Sequence, residues 1–405
     1  MSQKETDKIR YFKKFALDQL ENSILPFWRN YTIDNEQGGF YGQINNDMSI
    51  VKKAEKGQVL NARILWTFSA VYRKNKLASD LKLAQRAYEY ITTHFYDASY
   101  GGYYWSLKPD GSPKDTKKQI YAQAFVIYSL AEYYKITNNP DVLNKAIELF
   151  HLIEKNSFDT DKNGYIEARN REWKEMDDIR LSKKDMNVAK SMNTHLHVLE
   201  AYSNLYLVWN DPFLKLQLEN LIRLFTAKII DNNDCHQILF FDNDWNPQST
   251  LISFGHDIET SWLLHEAALI SENPELIDLI SQLSIKICNA VKKGLSNSGA
   301  LYYESDRAGK HYEHEIEWWA QAEGIVGYLN ALVLTKNPEY LDIAYDIAQF
   351  IEAYVVDKQY GEWFFRVTEN GDPILSHEKA GFWKCPYHNT RMCLEILHRI
   401  HLLEK

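Results

Sequence analysis

The chain has 405 residues, with 46 Lys and Arg against 55 Asp and Glu, a net charge of −9. Apolar residues make up 45% and charged residues 25%, a globular mixture that excludes disordered, collagen-like and coiled-coil chains. The acidic balance argues against nucleic acid as a partner, which needs a basic footprint. The unusual number is aromatic: 11 Trp, 26 Tyr and 18 Phe form 14% of the chain. That exceeds what core filling asks for, since each Tyr and Trp carries a polar atom wanting a partner.

The N-terminal MSQKETDKIR has no apolar core, so no secretory leader is expected. A first helix is predicted over roughly Glu5–Trp28. Then comes Gly38-Gly39-Phe40-Tyr41-Gly42, a glycine–aromatic run too short and too β-prone for a helix. The run recurs as Gly101-Gly102-Tyr103-Tyr104-Trp105, Gly164-Tyr165-Ile166-Glu167, Gly299-Ala300-Leu301-Tyr302-Tyr303 and Gly361-Glu362-Trp363-Phe364-Phe365. Its spacings are 63, 62, 135 and 62 residues, and a degenerate copy at His236–Phe241 fills the long gap. Six units of about 67 residues follow.

Within each unit the glycine–aromatic run reads as a small hairpin. A helix-period segment comes next, such as Asn61–Tyr72, Ile120–Tyr134 or Met192–Trp209. A break follows, carrying Asn139-Pro140, Asp211-Pro212, Asn273-Pro274 or Asn337-Pro338, where proline presets the first turn of a second helix. The first helix of each pair is apolar on nearly all faces, as over Val188–Leu207, and so is predicted to be buried. The second is two-sided, as over Leu143–Lys155. Inner helices wrapped by outer ones predict an all-α fold, an (α/α)6 barrel with short β-hairpins in the loops at one end. An open solenoid is the alternative. No linker or composition shift appears, so a single catalytic domain over residues 1–405 is expected. No apolar run approaches the ~18 residues of a membrane span. Cys235, Cys288, Cys385 and Cys393 form no C-x-x-C pair, so reduced thiols in the cytoplasm are expected.

The inner helices carry polar and aromatic groups near their N-terminal ends, one set per repeat: Arg63, Tyr121, Asn193 with His197, His256 with Glu259, Trp319 with Glu323, and His388 with Arg391. Closure of the barrel would gather them in one pocket. Asn193 and His197 stand i, i+4, and His256 and Glu259 i, i+3, so each pair can touch. A buried Arg63 needs an anion, a carboxylate or a polar substrate. His195-x-His197 diverges on a helix and has no third ligand, so no metal is expected. No Walker loop or dinucleotide fingerprint occurs, and with only 17 Gly no phosphate or hydride cofactor is expected. Two imidazoles suit proton transfer near neutral pH. Aromatic platforms beside Asn, Glu and Arg suit a sugar, and proton abstraction beside a carbonyl becomes the natural reaction, with Arg63 near the enediolate oxygen.

Five motifs carry a family resemblance: Ala62-Arg63-Ile64-Leu65-Trp66, Asn193-Thr194-His195-Leu196-His197, Gly255-His256-Asp257-Ile258-Glu259, Glu317-Trp318-Trp319-Ala320-Gln321-Ala322-Glu323 and Gly381-Phe382-Trp383-Lys384-Cys385-Pro386-Tyr387-His388. In this order and spacing the chain resembles the N-acylglucosamine 2-epimerase superfamily from about Leu20 onward, most closely its disaccharide-acting branch. The resemblance implies an (α/α)6 barrel and cofactor-free C2 epimerisation of the reducing-end glucose of a β-1,4-linked disaccharide. It implies ring opening and a cis-enediolate, with His256 and His388 as the acid/base pair and Arg63 on the enediolate oxygen. His197 would assist ring opening, and Glu259 would orient His256 or bind a hydroxyl. Tyr121, Asn193, Trp319, Glu323 and Trp383 would position the sugar, and Asp185 would reach a hydroxyl. The expected partner is a small-molecule disaccharide, with neither nucleic acid nor membrane, and the chain a monomer or weak homodimer. The alternatives are a monosaccharide epimerase or mannose-type aldose–ketose isomerase, a glycoside hydrolase built on a carboxylate pair, and a non-catalytic sugar-binding protein.

Overall fold

The computed structural model describes residues 2–404. Ser2 and Glu5 form a capping box at the start of α1 (Gln3–Asp18), which runs through a widened turn into α2 (Leu25–Tyr31). Helix pairs follow: α3 (Gln58–Asn75) with α4 (Ala78–Tyr90), α5 (Ile120–Thr137) with α6 (Pro140–Asn156), and α7 (Met192–Tyr206) with α8 (Pro212–Leu224). The series continues with α9 (Phe254–Ser271) and α10 (Pro274–Val291), then α11 (Trp318–Thr335) and α12 (Pro338–Phe350), and ends with α13 (Tyr387–Glu404). The chain is mostly helical, an arrangement consistent with an α/α barrel. Among the described residues no helix is long and apolar enough to cross a membrane.

The first helix of each pair is buried along nearly its whole length, and the second buries one stripe. Each buried helix packs on the next from α3 to α13, and α13 packs on α3 and on α1. The N-terminal helix therefore does not open a repeat of its own. It is the outer partner of the last inner helix.

The Asn-Pro and Asp-Pro breaks act as the sequence predicts. Asn139, Asp211, Asn273 and Asn337 each accept a hydrogen bond from a first-turn amide while proline sits at the first helical position. Asp211 accepts from both Phe213 N (2.8 Å) and Leu214 N (3.1 Å). Asp211→Ala is expected to destabilise the protein by about 1 kcal/mol. Urea unfolding checks this as a lowered midpoint at unchanged slope.

The glycine–aromatic runs form tight turns at all six positions, each closed by one antiparallel bridge. These bridges are Ile33–Phe40, Tyr96–Tyr103, Phe158–Tyr165, Ile230–Gln237, Leu295–Leu301 and Val356–Trp363. Gly39, Gly102 and Gly164 sit at φ of 63°, 68° and 85°, where any Cβ is strained, which is why glycine recurs there. In the degenerate copy Cys235 takes this conformation at 61°. The longer pairing is not local. The strand after each turn pairs with the strand leading into the preceding inner helix, as Ser106–Leu107 does with Lys56–Gly57 and Ala168–Arg169 with Lys118–Gln119. The sixth such pairing, Ile44 with Ala380, joins the two ends of the chain.

Two sets of buried polar residues hold this frame. Lys56–Asp34 (2.7 Å), Lys118–Asp97 (3.1 Å), Lys190–Asp159 (2.8 Å) and Lys379–Asp357 link an inner-helix entry to the turn beside it. Each of these Asp side chains also accepts from amides of its own turn, so the buried charges are both paired and hydrogen-bonded. From the inner helices, Gln123, His195, Asp257 and Gln321 each accept a turn amide, from Tyr103, Tyr165, Gln237 and Leu301 respectively. His195 donates its other ring nitrogen to Ser191 O (2.6 Å), so both nitrogens are committed to the fold. Many unexpected polar groups on the inner helices are thus structural.

Candidate active site

A cavity of about 520 Å³ opens where the N-terminal turns of the inner helices meet. Of the eleven residues singled out from the sequence, ten line it. Arg63, Tyr121, His197, His256 and His388 form its catalytic-looking side. Asn193, Glu259, Trp319 and Trp383 add to the wall, and Asp185 reaches it from a loop. Glu323 does not line the cavity. It lies beneath, its Oε1 accepting from His388 Nδ1 (2.7 Å) and Arg391 Nη2 (2.6 Å) and its Oε2 from Trp262 Nε1 (3.0 Å). The expected sugar contact is therefore replaced by support of His388, because Glu323 lies off the cavity and both its carboxyl oxygens already accept donors from the protein.

Arg63 has no carboxylate partner among the described residues, although it is only 3% exposed. Its Nη2 donates to Tyr121 Oη (2.8 Å) and its Nη1 to Cys385 Sγ (3.6 Å), and it stacks over Phe125 at 4.3 Å. Burial works against its charge, but the neighbouring Tyr121, Cys385 and Tyr387 keep it a firm cation. A charged guanidinium on a cavity wall can stabilise negative charge that develops beside it.

The two imidazoles on α9 and α13 flank one indole. The ring centroids of His256 and His388 lie 4.6 Å and 5.6 Å from that of Trp319. Trp319 Nε1 donates to Glu317, which also accepts from Arg366 and so anchors the ring. Gly255 lets the indole approach, since a Cβ there would meet it at 2.6 Å. Burial lowers His256 to about 3 and His388 well below its usual value, aided at His388 by Arg63 and Arg391. Both shifts favour the uncharged ring.

Glu259 does not orient His256. His256 Nδ1 pairs with Ser253 Oγ (2.8 Å), while Glu259 Oε1 accepts from Arg391 Nη2 (2.6 Å) and lies 4.0 Å from His388 Nδ1. Nor does Asn193 pair with His197. His197 Nδ1 meets Glu200 Oε2 (2.8 Å), whose Oε1 accepts from Arg391 and Tyr387. These partners sit three residues away on the same helix face, at Ser253–His256 and His197–Glu200, and the i, i+3 rule could have found them. Asp185 Oδ2 accepts from Ser182 N (2.8 Å).

Arg391 is the hub that the sequence marked as unusual but left without a role. Glu259, Glu323 and His388 bring potential metal ligands within 4.8 Å of one another. The Arg391 guanidinium already fills that space, donating to both carboxyl groups at 2.6 Å, so the trio is a hydrogen-bonded cluster around one cation.

Residues 39–391 match the N-acylglucosamine 2-epimerase (GlcNAc 2-epimerase) family. The chain belongs to this family. It is 48% identical to a cellobiose 2-epimerase of Bacteroides fragilis, over 94% of this chain and 97% of the relative. It is 38% identical to one of Dictyoglomus turgidum, over 97% of this chain and all of the relative. Its fold superposes on the structure of the cellobiose 2-epimerase of Bacillus thermoamylovorans with a TM-score of 0.92, at 40% identity over 96% of this chain and 100% of the other. Like these relatives it is a carbohydrate epimerase, an enzyme of the isomerase class.

Proposed function

We propose that the protein is a cellobiose 2-epimerase, inverting C2 of the reducing-end glucose of β-1,4-linked disaccharides such as cellobiose and lactose. The observation that carries this reading is the pair of imidazoles, both packed against the Trp319 ring and both lining a cavity that also holds the Arg63 guanidinium. Once the ring has opened, the C1 carbonyl acidifies the C2 proton. One imidazole takes that proton, and the electron pair moves onto the C1 oxygen as an enediolate beside Arg63. Rotation about C2–C3 turns the other face of the enediolate to the second imidazole, which returns a proton there. His197, held by Glu200, serves ring opening. Tyr121, Asn193, Asp185, Trp319 and Trp383 position the sugar, the two indoles meeting its C–H faces.

The same reading takes the whole chain, residues 1–405, as one closed (α/α)6 barrel. The packing of α13 on α3 and the Ile44–Ala380 bridge support closure. A cytoplasmic monomer or weak homodimer needing no metal or cofactor fits the same picture.

Incubation with cellobiose in D₂O, followed by NMR, tests the reaction. The expected product is glucosyl-mannose carrying deuterium at C2. Product formed with its original C2 hydrogen overturns the enediolate mechanism, and release of monosaccharides instead would make the protein a hydrolase.

A further inference from the structure

At the cavity floor three carboxyl groups surround one guanidinium, and of the three only Glu259 lines the cavity itself. Glu200 on α7, Glu259 on α9 and Glu323 on α11 all bond to Arg391 on α13, and no side chain of the four is more than 3% exposed. Three ionised carboxylates against one cation would leave two net negative charges in a dry site, a state that low dielectric strongly disfavours. The hydrogen bonds identify which group relieves it. Both oxygens of Glu200 accept donors, from Arg391 and Tyr387 on one side and His197 on the other. Both oxygens of Glu323 do the same, from His388, Arg391 and Trp262. Glu259 accepts only at Oε1. Its Oε2 is buried with no partner among the described residues, the one carboxyl oxygen of the three groups that accepts no donor.

We propose that Glu259 is a neutral carboxylic acid in the resting protein, which sets the buried cluster at one net negative charge. The groups facing it are Tyr121 from α5, Glu200 from α7, Glu323 from α11, and Tyr387, His388 and Arg391 from α13. His256, on its own helix, turns to Ser253. Burial and the neighbouring Glu323 both favour the neutral form.

The purpose of that charge rests on the acid/base role of His388. When His388 takes the C2 proton at Nε2, its Nδ1–H already points at Glu323, and the cluster with its new imidazolium becomes neutral. A second ionised carboxylate would hold the imidazolium proton too firmly for it to be returned. Glu259 is thus a positioning and charge-setting residue for His388, with no contact to the reacting carbon required.

Infrared difference spectroscopy of the wild type against Glu259→Gln at neutral pH tests the charge state without turnover. The expected difference is a carboxylic-acid C=O stretching band, shifted by D₂O, present in the wild type and lost in the variant. Glu154 and Glu167, which burial raises to about 7 and about 8, contribute to both spectra and cancel. A wild-type-minus-Glu259→Gln spectrum without it overturns the proposal. Should Glu259→Gln not fold, Glu259→Asp serves: the band then moves, and an unmoved band overturns the proposal equally.

Stability against pH gives a second reading with a defined sign. An acid whose folded pKa is raised loses stability as pH climbs from its unfolded value, about 4.3, toward the folded one. The Tm advantage of Glu259→Gln over the wild type is therefore expected to widen across about pH 5 to 8. A flat difference with the wild type more stable marks an ion-paired carboxylate and overturns the proposal. If cellobiose is not turned over while the band behaves as expected, the functional reading fails and the charge assignment stands.

Discussion

Replacing His388 by alanine is expected to lower kcat on cellobiose by about 10²–10⁴-fold, the usual contribution of a positioned base. KM is expected to change little, because Trp319 and Trp383 still frame the sugar and the lost interaction exists only in the transition state. The same holds for His256→Ala, but the two variants should differ in an instructive way. Each keeps one imidazole on one face of the sugar. Each should therefore still exchange the C2 hydrogen of one epimer with D₂O, and not of the other, while failing to interconvert them. The two variants should be selective for opposite epimers. Incubating each with glucosyl-glucose and with glucosyl-mannose in D₂O, and reading C2 by NMR, checks this. Exchange of both epimers by either variant would remove that histidine from the pair.

Arg63→Met is expected to lower kcat by about 10²–10³-fold, the cost of removing a preorganised oxyanion partner. Stability should change in the opposite sense from most buried-arginine losses. A buried guanidinium paired to a carboxylate leaves an orphan charge when removed, at about 3–5 kcal/mol. Arg63 has Tyr121, Cys385 and aromatic rings for neighbours, and no carboxylate among the described residues. Its replacement by an apolar side chain of similar length should leave the thermal midpoint equal or higher. Arg391→Met, which strands Glu200, Glu259 and Glu323, should be severely destabilised by comparison. A kinetic assay beside thermal unfolding of the two variants separates these cases. An Arg63→Met protein as unstable as Arg391→Met would make Arg63 a structural cation.

Much of this was legible in the sequence because a repeat announces itself. The glycine at a left-handed position in five of the six turns, the Asn-Pro helix starts and the apolar-all-round inner helices are local requirements, each satisfied by residues close in sequence. Eight of the ten predicted site residues that line the cavity do so for the same reason, that they occupy equivalent helix ends, while Asp185 and Trp383 reach it from loops. Local spacing says which neighbours can touch, not which do. Glu259 is within reach of His256 and Asn193 of His197, yet Ser253 and Glu200 take those places. In the folded chain Glu259 and Glu323 instead meet Arg391, 132 and 68 residues away.

The sequence by itself determined the six-fold repeat, the two kinds of helix and the residue types at the cavity. These follow from backbone conformation and from hydrophobic period, which act over a few residues. Only the tertiary structure decided which chain end completes the last helix pair, through α1 on α13 and Ile44 against Ala380. It alone showed that three carboxyl groups share Arg391, and that Arg63 has none. Charge compensation in a buried site depends on distances between distant segments, and no local pattern encodes it.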